Sequence, residues 1–254
     1  MGISRIVPPP EPIRAFTVPA RPTNVPADVG VIIVAAGQST RAGSGELKQF
    51  RWVAGMPMLL HSVRTFLARA DVCSVVCVLP EGYAADPPPW LLQNDLNRLL
   101  LSVGGAQRTD SVRNGLEDMT ADASIVLVHD AARPLVTDDT IDRVIAAART
   151  GHGAVAALPV VDTLKAVDAN GTITKTVDRA GLWRAQTPQG FPRDIIERAY
   201  AASRGSATIA TDDAALVEAL GVPVVVVRGS ERAMKVTEND DFALAEMFAQ
   251  HKRP

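Results

Sequence analysis

The sequence is short of aromatic residues, at 4%, and contains only two cysteines and four histidines. Cys73 and Cys77 share one apolar run, Val72 to Leu79, and alternation puts both on one face of the expected strand. That spacing suits neither a disulfide within one strand nor a zinc site. Both read as buried reduced thiols, in keeping with a reducing cytoplasm. His61, His129, His152 and His251 show no ligand spacing, and His129 reads as a hydrogen-bonded strand-end residue rather than a base. No apolar run approaches the roughly 18 residues that span a bilayer, so no membrane contact is expected. Charge of one sign is lacking too: 26 basic and 28 acidic residues leave a net charge of −2. Without a broad basic footprint, nucleic acid is not an expected partner. Neither G-x-G-x-x-G nor the Gly-Lys-Ser/Thr of a P-loop is present at the strand ends, which excludes the dinucleotide and Walker-type readings.

What is present is an ordinary globular composition, 47% hydrophobic and 21% charged over 254 residues. That is enough for one sizeable α/β core, or one domain with an appendage. The first 28 residues stand apart, with prolines at 8, 9, 10, 12, 19, 22 and 26 and no periodic pattern. They lack the continuous apolar core of a secretory signal and read as a disordered or loosely packed extension without chemistry. From Val29 to the end, strand and helix patterns alternate, which predicts a mostly parallel central sheet with helices on both faces.

Several elements can be placed. Pro57 opens a helix with Leu59, Val63, Phe66 and Leu67 inward, and Val72 to Leu79 is a strand. Pro87-Pro88-Pro89 breaks the chain before a Leu-rich segment ending at Gly104-Gly105, and Ser111 to Met119 is a short helix. Thr137 caps a helix with Ile141, Val144, Ile145 and Ala148 inward, followed by a strand from Ala154 to Leu158. Helices from Arg193 and Asp212, a strand from Val222 to Val227 and a last helix near Asn239 complete the domain. Between 160 and 183 the period changes. Thr163 to Val167 and Thr172 to Val177 are β-branched runs joined through Asp168-Ala169-Asn170-Gly171, a hairpin signal. With few large apolar residues of its own, this hairpin must pack on something else.

Two strand ends carry the chemistry. Ile125-Val126-Leu127-Val128 runs into His129-Asp130-Ala131-Ala132-Arg133-Pro134. Ligands of open α/β sheets bind beyond the carboxyl ends of the strands. There Asp130 can serve a metal and Arg133 a phosphate, with Ala131 and Ala132 leaving room; a capped strand end with a surface ion pair is the bland alternative. Val31 to Val34 leads into Ala35-Ala36-Gly37, with Arg41 beyond it and Lys48 seven residues later. Small residues there let backbone N–H groups cradle phosphate, though a plain tight turn explains the loop equally well.

The two ends belong to an ordered series. It continues through Gly104-Gly105, Arg108, Asp110-Ser111-Val112, Asp162 to Lys165, Val177-Asp178-Arg179, Gln186 to Gln189, Thr211 to Ala214 and Met234 to Thr237. In that order, from about Val31 to the last helix, the chain resembles the 2-C-methyl-D-erythritol 4-phosphate cytidylyltransferases of the non-mevalonate isoprenoid pathway. The resemblance implies a Rossmann-like nucleotidyltransferase fold. It implies transfer of CMP from CTP to 2-C-methyl-D-erythritol 4-phosphate with release of pyrophosphate. It also implies a cytoplasmic homodimer whose hairpin arm embraces the second subunit, and a divalent cation such as Mg²⁺.

Residue by residue, it makes Arg41 and Lys48 the pair that stabilises the charged transition state. Arg179 and Lys235 become the pair that holds the acceptor phosphate, Arg179 reaching the partner's site. On the nucleotide side it points to Ala35, Ala36, Gly37, Gly105, Ala106, Ser111, Asp130 and Ala131, with Asp130 also contacting the metal. Arg133, Thr163 and Thr187 become further contacts to the sugar phosphate. Ser111 reads equally as a helix cap, and Lys235, between Met234 and Val236 in an expected strand, equally as a surface lysine. The chain departs from the family at Ser39, where a second loop glycine is usual, at Ala42 for methionine and at Leu47 for proline. Glu231 stands where an aspartate is common. A cytidylyltransferase for another polyol phosphate, such as ribitol 5-phosphate, and a weakly active nucleotide-binding paralogue are the alternatives.

Overall fold

The computed structural model describes residues 25–37, 47–204 and 210–251. Arg41, and with it Ser39 and Ala42, lies outside the described residues, as do the first 24. Strand β1 (Val29–Val34) precedes the short pair β2 (Trp52–Val53) and β3 (Met56–Pro57), then α1 (Met58–Leu67) and β4 (Val72–Leu79). Next come α2 (Glu81–Ala85), β5 (Leu99–Val103), α3 (Arg108–Glu117), β6 (Ile125–Asp130), α4 (Asp138–Ala148) and β7 (Gly153–Pro159). The hairpin is β8 (Leu164–Val167) with β9 (Ile173–Val177). Then follow β10 (Trp183–Pro192), α5 (Arg193–Ala202), α6 (Asp213–Glu218), β11 (Val224–Arg228) and α7 (Asn239–Gln250).

Seven strands form one sheet in the order β11-β7-β10-β6-β1-β4-β5. It is parallel throughout except for β10, which runs antiparallel to both β6 and β7. Apolar alternation sorts the side chains into two layers. Val29, Val31, Ile33, Ile125 and Leu127 pack with α1 and α4 on one face. Ile32, Val126 and Val128 pack with α3, α5 and α6 on the other. The inward residues read from the sequence for α1 and α4 are all buried. Pro57, Pro80 and Pro192 stand immediately before α1, α2 and α5, where a residue without N–H and with a pre-set φ costs the helix nothing. Among the described residues no helix is long and apolar enough to cross a membrane.

Several local expectations are corrected. The cysteines do not share a face: Val29 pairs Val72 but Gly30 pairs Ser74, so an extra residue in β4 reverses the alternation. Cys73 therefore packs with the α3 layer, its Sγ 3.3 Å from the Val29 carbonyl, while Cys77 is buried in the α1 layer. Helix α3 starts three residues early, capped by Gln107 in a reciprocal pair with Asp110, so Ser111 is not its cap. Thr137 is the cap residue of α4, but its hydroxyl meets the Thr140 hydroxyl at 2.9 Å rather than a backbone amide. Asp28, assigned by the sequence to the extension, is bonded to the body. Its carbonyl accepts from Ser124 and Ile125, and its carboxylate lies 2.5 Å from Arg149.

The hairpin forms its own two-stranded sheet, exposed along nearly its whole length. Its turn is not the two-residue Asn-Gly type. Gly171 N–H donates to Asp168 O at 3.1 Å, Gly171 takes φ +81°, and the Asp168 carboxylate accepts from the Asn170 and Thr172 amides. Aspartate thus nucleates the turn, and glycine closes it in the left-handed region.

Candidate active site

Beyond the carboxyl ends of β1, β5 and β6 lies a cavity of about 490 Å³. It brings together Ala35, Ala36, Gly37, Lys48, Gly105, Ala106, Ser111, Asp130, Ala131 and Lys235, residues scattered over 200 positions of sequence. Its narrowness comes from close approach of two loops. A Cβ on Gly104 would stand 2.1 Å from that of Ala36, and one on Gly105 would stand 2.2 Å from that of Asp110. Only glycine lets the β5 loop close on the β1 loop here. Ser111, buried in the first turns of α3, accepts from Gly105 N–H at 3.1 Å and donates to the Gln107 carbonyl at 3.2 Å. Its hydroxyl sets the loop that borders the pocket.

Asp130, the last residue of β6, is the charge centre. One oxygen is 2.8 Å from Lys235 Nζ, the other 3.3 Å from Arg108. Burial pushes its pKa up, but Arg108 and Lys235 outweigh that and hold it at about 2. Lys235 sits in an extended loop, not in a strand as its neighbours suggested, because β11 ends at Arg228 and a short 3-10 turn follows at Glu231–Ala233. Arg108 is a site residue to which the sequence alone assigns no role. It lines the cavity and holds both oxygens of the fully buried Asp213 at 3.0 and 2.8 Å. Burial opposes its charge and the Asp213 carboxylate more than restores it, so its pKa is raised. Tyr200 adds a hydrogen bond of 2.5 Å to Asp213, and Gln189 Oε1 accepts from the Asp213 and Ala214 amides. No spacing rule links Arg108 to Asp213; only the meeting of the α3 and α6 N-termini does.

Arg133 and Thr187 are not among the residues lining the cavity. Arg133 donates to the carbonyls of Ala233 at 2.8 Å and Ala185 at 3.3 Å, tying the Lys235 loop to β10. His129 Nε2 meets the Arg133 carbonyl at 3.1 Å, and a carbonyl only accepts, so the proton is on Nε2. Nδ1 then accepts from the Thr187 hydroxyl at 3.1 Å, and Thr187 Oγ1 accepts the Asp130 N–H at 3.0 Å. Burial lowers the His129 pKa to about 4, which keeps the ring neutral in this chain. The Thr187 hydroxyl is thus engaged in aiming Asp130. Thr163 and Arg179 are on the exposed arm and do not line this cavity; the Arg179 guanidinium donates to the Val161 carbonyl.

Among the described residues no three His, Cys, Asp or Glu side chains group as a metal site. A single ionised carboxylate at a cavity wall still suits magnesium, which takes one or two carboxylates and completes its shell with substrate phosphates and water.

Comparison with known proteins places the chain in a family. Residues 29–251 match the family model described as IspD, 2-C-methyl-D-erythritol 4-phosphate cytidylyltransferase. A 2-C-methyl-D-erythritol 4-phosphate cytidylyltransferase of Frankia casuarinae is 44% identical, over 86% of this chain and 80% of its own. A bifunctional enzyme IspD/IspF of Rhodospirillum rubrum is 48% identical over 87% of this chain, which spans only 56% of that longer protein. The crystal structure of 2-C-methyl-D-erythritol 4-phosphate cytidylyltransferase from Thermus thermophilus superposes with a TM-score of 0.74. It is 37% identical and covers 88% of this chain and 99% of that one. Matched by the family model from residue 29 to residue 251 and 44% identical to a curated member, the chain belongs to the 2-C-methyl-D-erythritol 4-phosphate cytidylyltransferase family.

Proposed function

We propose that the chain carries out the family reaction in the cavity at the ends of β1, β5 and β6, as a cytoplasmic homodimer. The observation that carries this reading is the contact of Arg108 and Lys235 with the ionised Asp130, in a cavity that Lys48 and the backbone of Ala35 to Gly37 also line. The acceptor phosphate attacks the α-phosphorus of CTP. One P–O bond forms, the bridge to the β-phosphate breaks, and pyrophosphate leaves. A phosphate monoester is largely a dianion near neutral pH, with a second pKa of about 6, so no general base is required. The work left to the protein is to bring together anions that repel, and to meet charge growing on the α-phosphate.

Lys48 and Arg41 meet that charge, and the Ala35 to Gly37 backbone receives the triphosphate. Gly105, Ala106 and Ser111 shape a base pocket whose tightness favours a pyrimidine over a purine. Lys235 turns from Asp130 to the acceptor phosphate, and Arg179, with Thr163, reaches the site from the partner's arm. Arg133 and Thr187 hold the Lys235 loop and Asp130 in register. Asp130 would hold Mg²⁺, which supplies charge neutralisation along the triphosphate. Pyrophosphate release from purified protein with CTP, Mg²⁺ and methylerythritol phosphate tests the reading. ATP in place of CTP, or ribitol 5-phosphate as acceptor, is expected to give kcat/KM lower by about 10² or more, the discrimination that tight pockets and unpaired polar groups supply. Equal rates with ATP or with ribitol 5-phosphate would overturn it.

A further inference from the structure

One buried amide joins the Ala35 to Gly37 loop to the turn that carries Lys48. Gln49 is 5% exposed. Its Nε2 donates to the Ala35 carbonyl at 2.6 Å and to the Gly37 carbonyl at 3.2 Å. Both hydrogens of the amide are therefore spent on the loop that receives the triphosphate. The backbone of the same residue lies in the 3-10 turn Lys48–Phe50, directly after Lys48. The turn is anchored on its other side as well. The buried Phe50 ring lies 4.3 Å from Tyr83 and 6.1 Å from Trp90, centroid to centroid. Arg51 stacks 3.8 Å over Phe242 and donates to Asn239, both on α7. Lys48 is thus carried on a short turn, held outward by aromatic packing and tied to the Ala35 to Gly37 loop by the Gln49 amide.

We propose that Gln49 is a positioning residue of the transfer reaction, setting the distance between the Lys48 ammonium and the Ala35 to Gly37 phosphate loop. A cation aimed at developing charge works only if it is preorganised, since a displacement near 1 Å costs about 10² in rate. The inference rests on the assignment of this cavity as the CTP site.

Gln49→Glu keeps the size and removes the donors. A carboxylate there faces two carbonyl oxygens with no hydrogen to offer, whereas the protonated acid restores one donor. The expected result is a kcat about 10- to 100-fold below wild type at pH 8, with KM for CTP within threefold, measured at a temperature where the variant remains folded. The deficit shrinks as pH falls towards 6, because burial raises the pKa of the new carboxyl. In a Lys48→Ala background the same substitution should cost little further kcat, since both changes remove one interaction. Amide exchange should rise at Phe50 and Arg51, whose N–H groups bond Leu47 and Lys48 carbonyls at 3.0 and 3.2 Å. A kcat equal to wild type, a loss independent of pH that follows Tm, or a full additive loss on Lys48→Ala would overturn the proposal. If wild type itself released no pyrophosphate, the function would fail instead, and unchanged exchange at Phe50 and Arg51 would then overturn the positioning role by itself.

Discussion

Lys235 Nζ rests 2.8 Å from Asp130 Oδ2, across 105 residues of sequence, so the cation proposed for the acceptor phosphate is parked on the carboxylate proposed for the metal. Each neutralises the other in this structure, and under the proposed function substrate and metal would exchange this one pairing for two. With its pKa held at about 2, Asp130 stays ionised across the working pH range.

Three cations should separate by substrate. Lys48→Ala and Arg41→Ala are expected to lower kcat by about 10²–10³ while leaving CTP binding nearly intact, as loss of a donor to developing charge does. Lys235→Ala should instead raise KM for methylerythritol phosphate as well as lowering kcat. Steady-state kinetics with each substrate varied in turn checks this; an unchanged kcat in the first two variants removes them from the mechanism.

His129 makes stability depend on pH. Its folded pKa, about 4, lies below the unfolded value near 6.5, so the unfolded chain binds the extra proton first. The contribution is complete above about 6.5 and is lost as pH falls towards 4, by about 3 kcal/mol. Urea midpoints measured from pH 7 to 4.5 should fall more steeply for wild type than for His129→Gln. Parallel slopes would mean that the ring is not buried and neutral.

Mixed dimers test the arm. Lys48→Ala and Arg179→Ala chains are each expected to be inactive, with defects on different parts of the shared site. Co-expressed heterodimers hold one intact site and one doubly defective site, and so should regain about half the wild-type activity per dimer, by two-fold symmetry. No recovery from dimeric parents would place Arg179 in its own subunit's site, or outside the reaction.

The proline-rich start is expected to be dispensable, since its sequence offers no pattern able to bury a core. A chain beginning at Ala27 keeps Asp28 and its 2.5 Å contact with Arg149, and should match wild type in Tm and activity. A cut after Asp28 should lower Tm by a few degrees, as loss of about 1 kcal/mol does in a chain of this size.

Much of this was legible in the chain because local rules and tertiary structure agree. The buried stripe of Ile141, Val144, Ile145 and Ala148 needs only a 3.6-residue period, and β4 is seen at its full extent from Val72 to Leu79. Long-range geometry was not legible. The extra residue in β4 depends on where β1 begins, so alternation put Cys73 on the wrong face. Lys235 looked like a strand residue because its neighbours are apolar, yet Ala233 and Val236 bury themselves from a loop. Arg108 was quoted as part of a motif, but its grip on Asp213 exists only once two helix N-termini meet.

The single reversed strand has a mechanical consequence. β10 is exposed at Trp183, Arg184 and Ala185, where it leaves the arm, and buried from Gln186 to Phe191. Being antiparallel, it enters the sheet at the end where the cavity lies, and reaches Thr187 after only a few residues. Thr187 holds the Asp130 amide, and Gln189 holds the N-terminus of α6. Only residues 178–182 separate the hairpin from β10, so the arm is joined by a short connection to the strand whose residues aim the central carboxylate. Whatever grips the hairpin thereby gains a covalent route into the middle of the sheet, between β7 and β6, rather than to its rim.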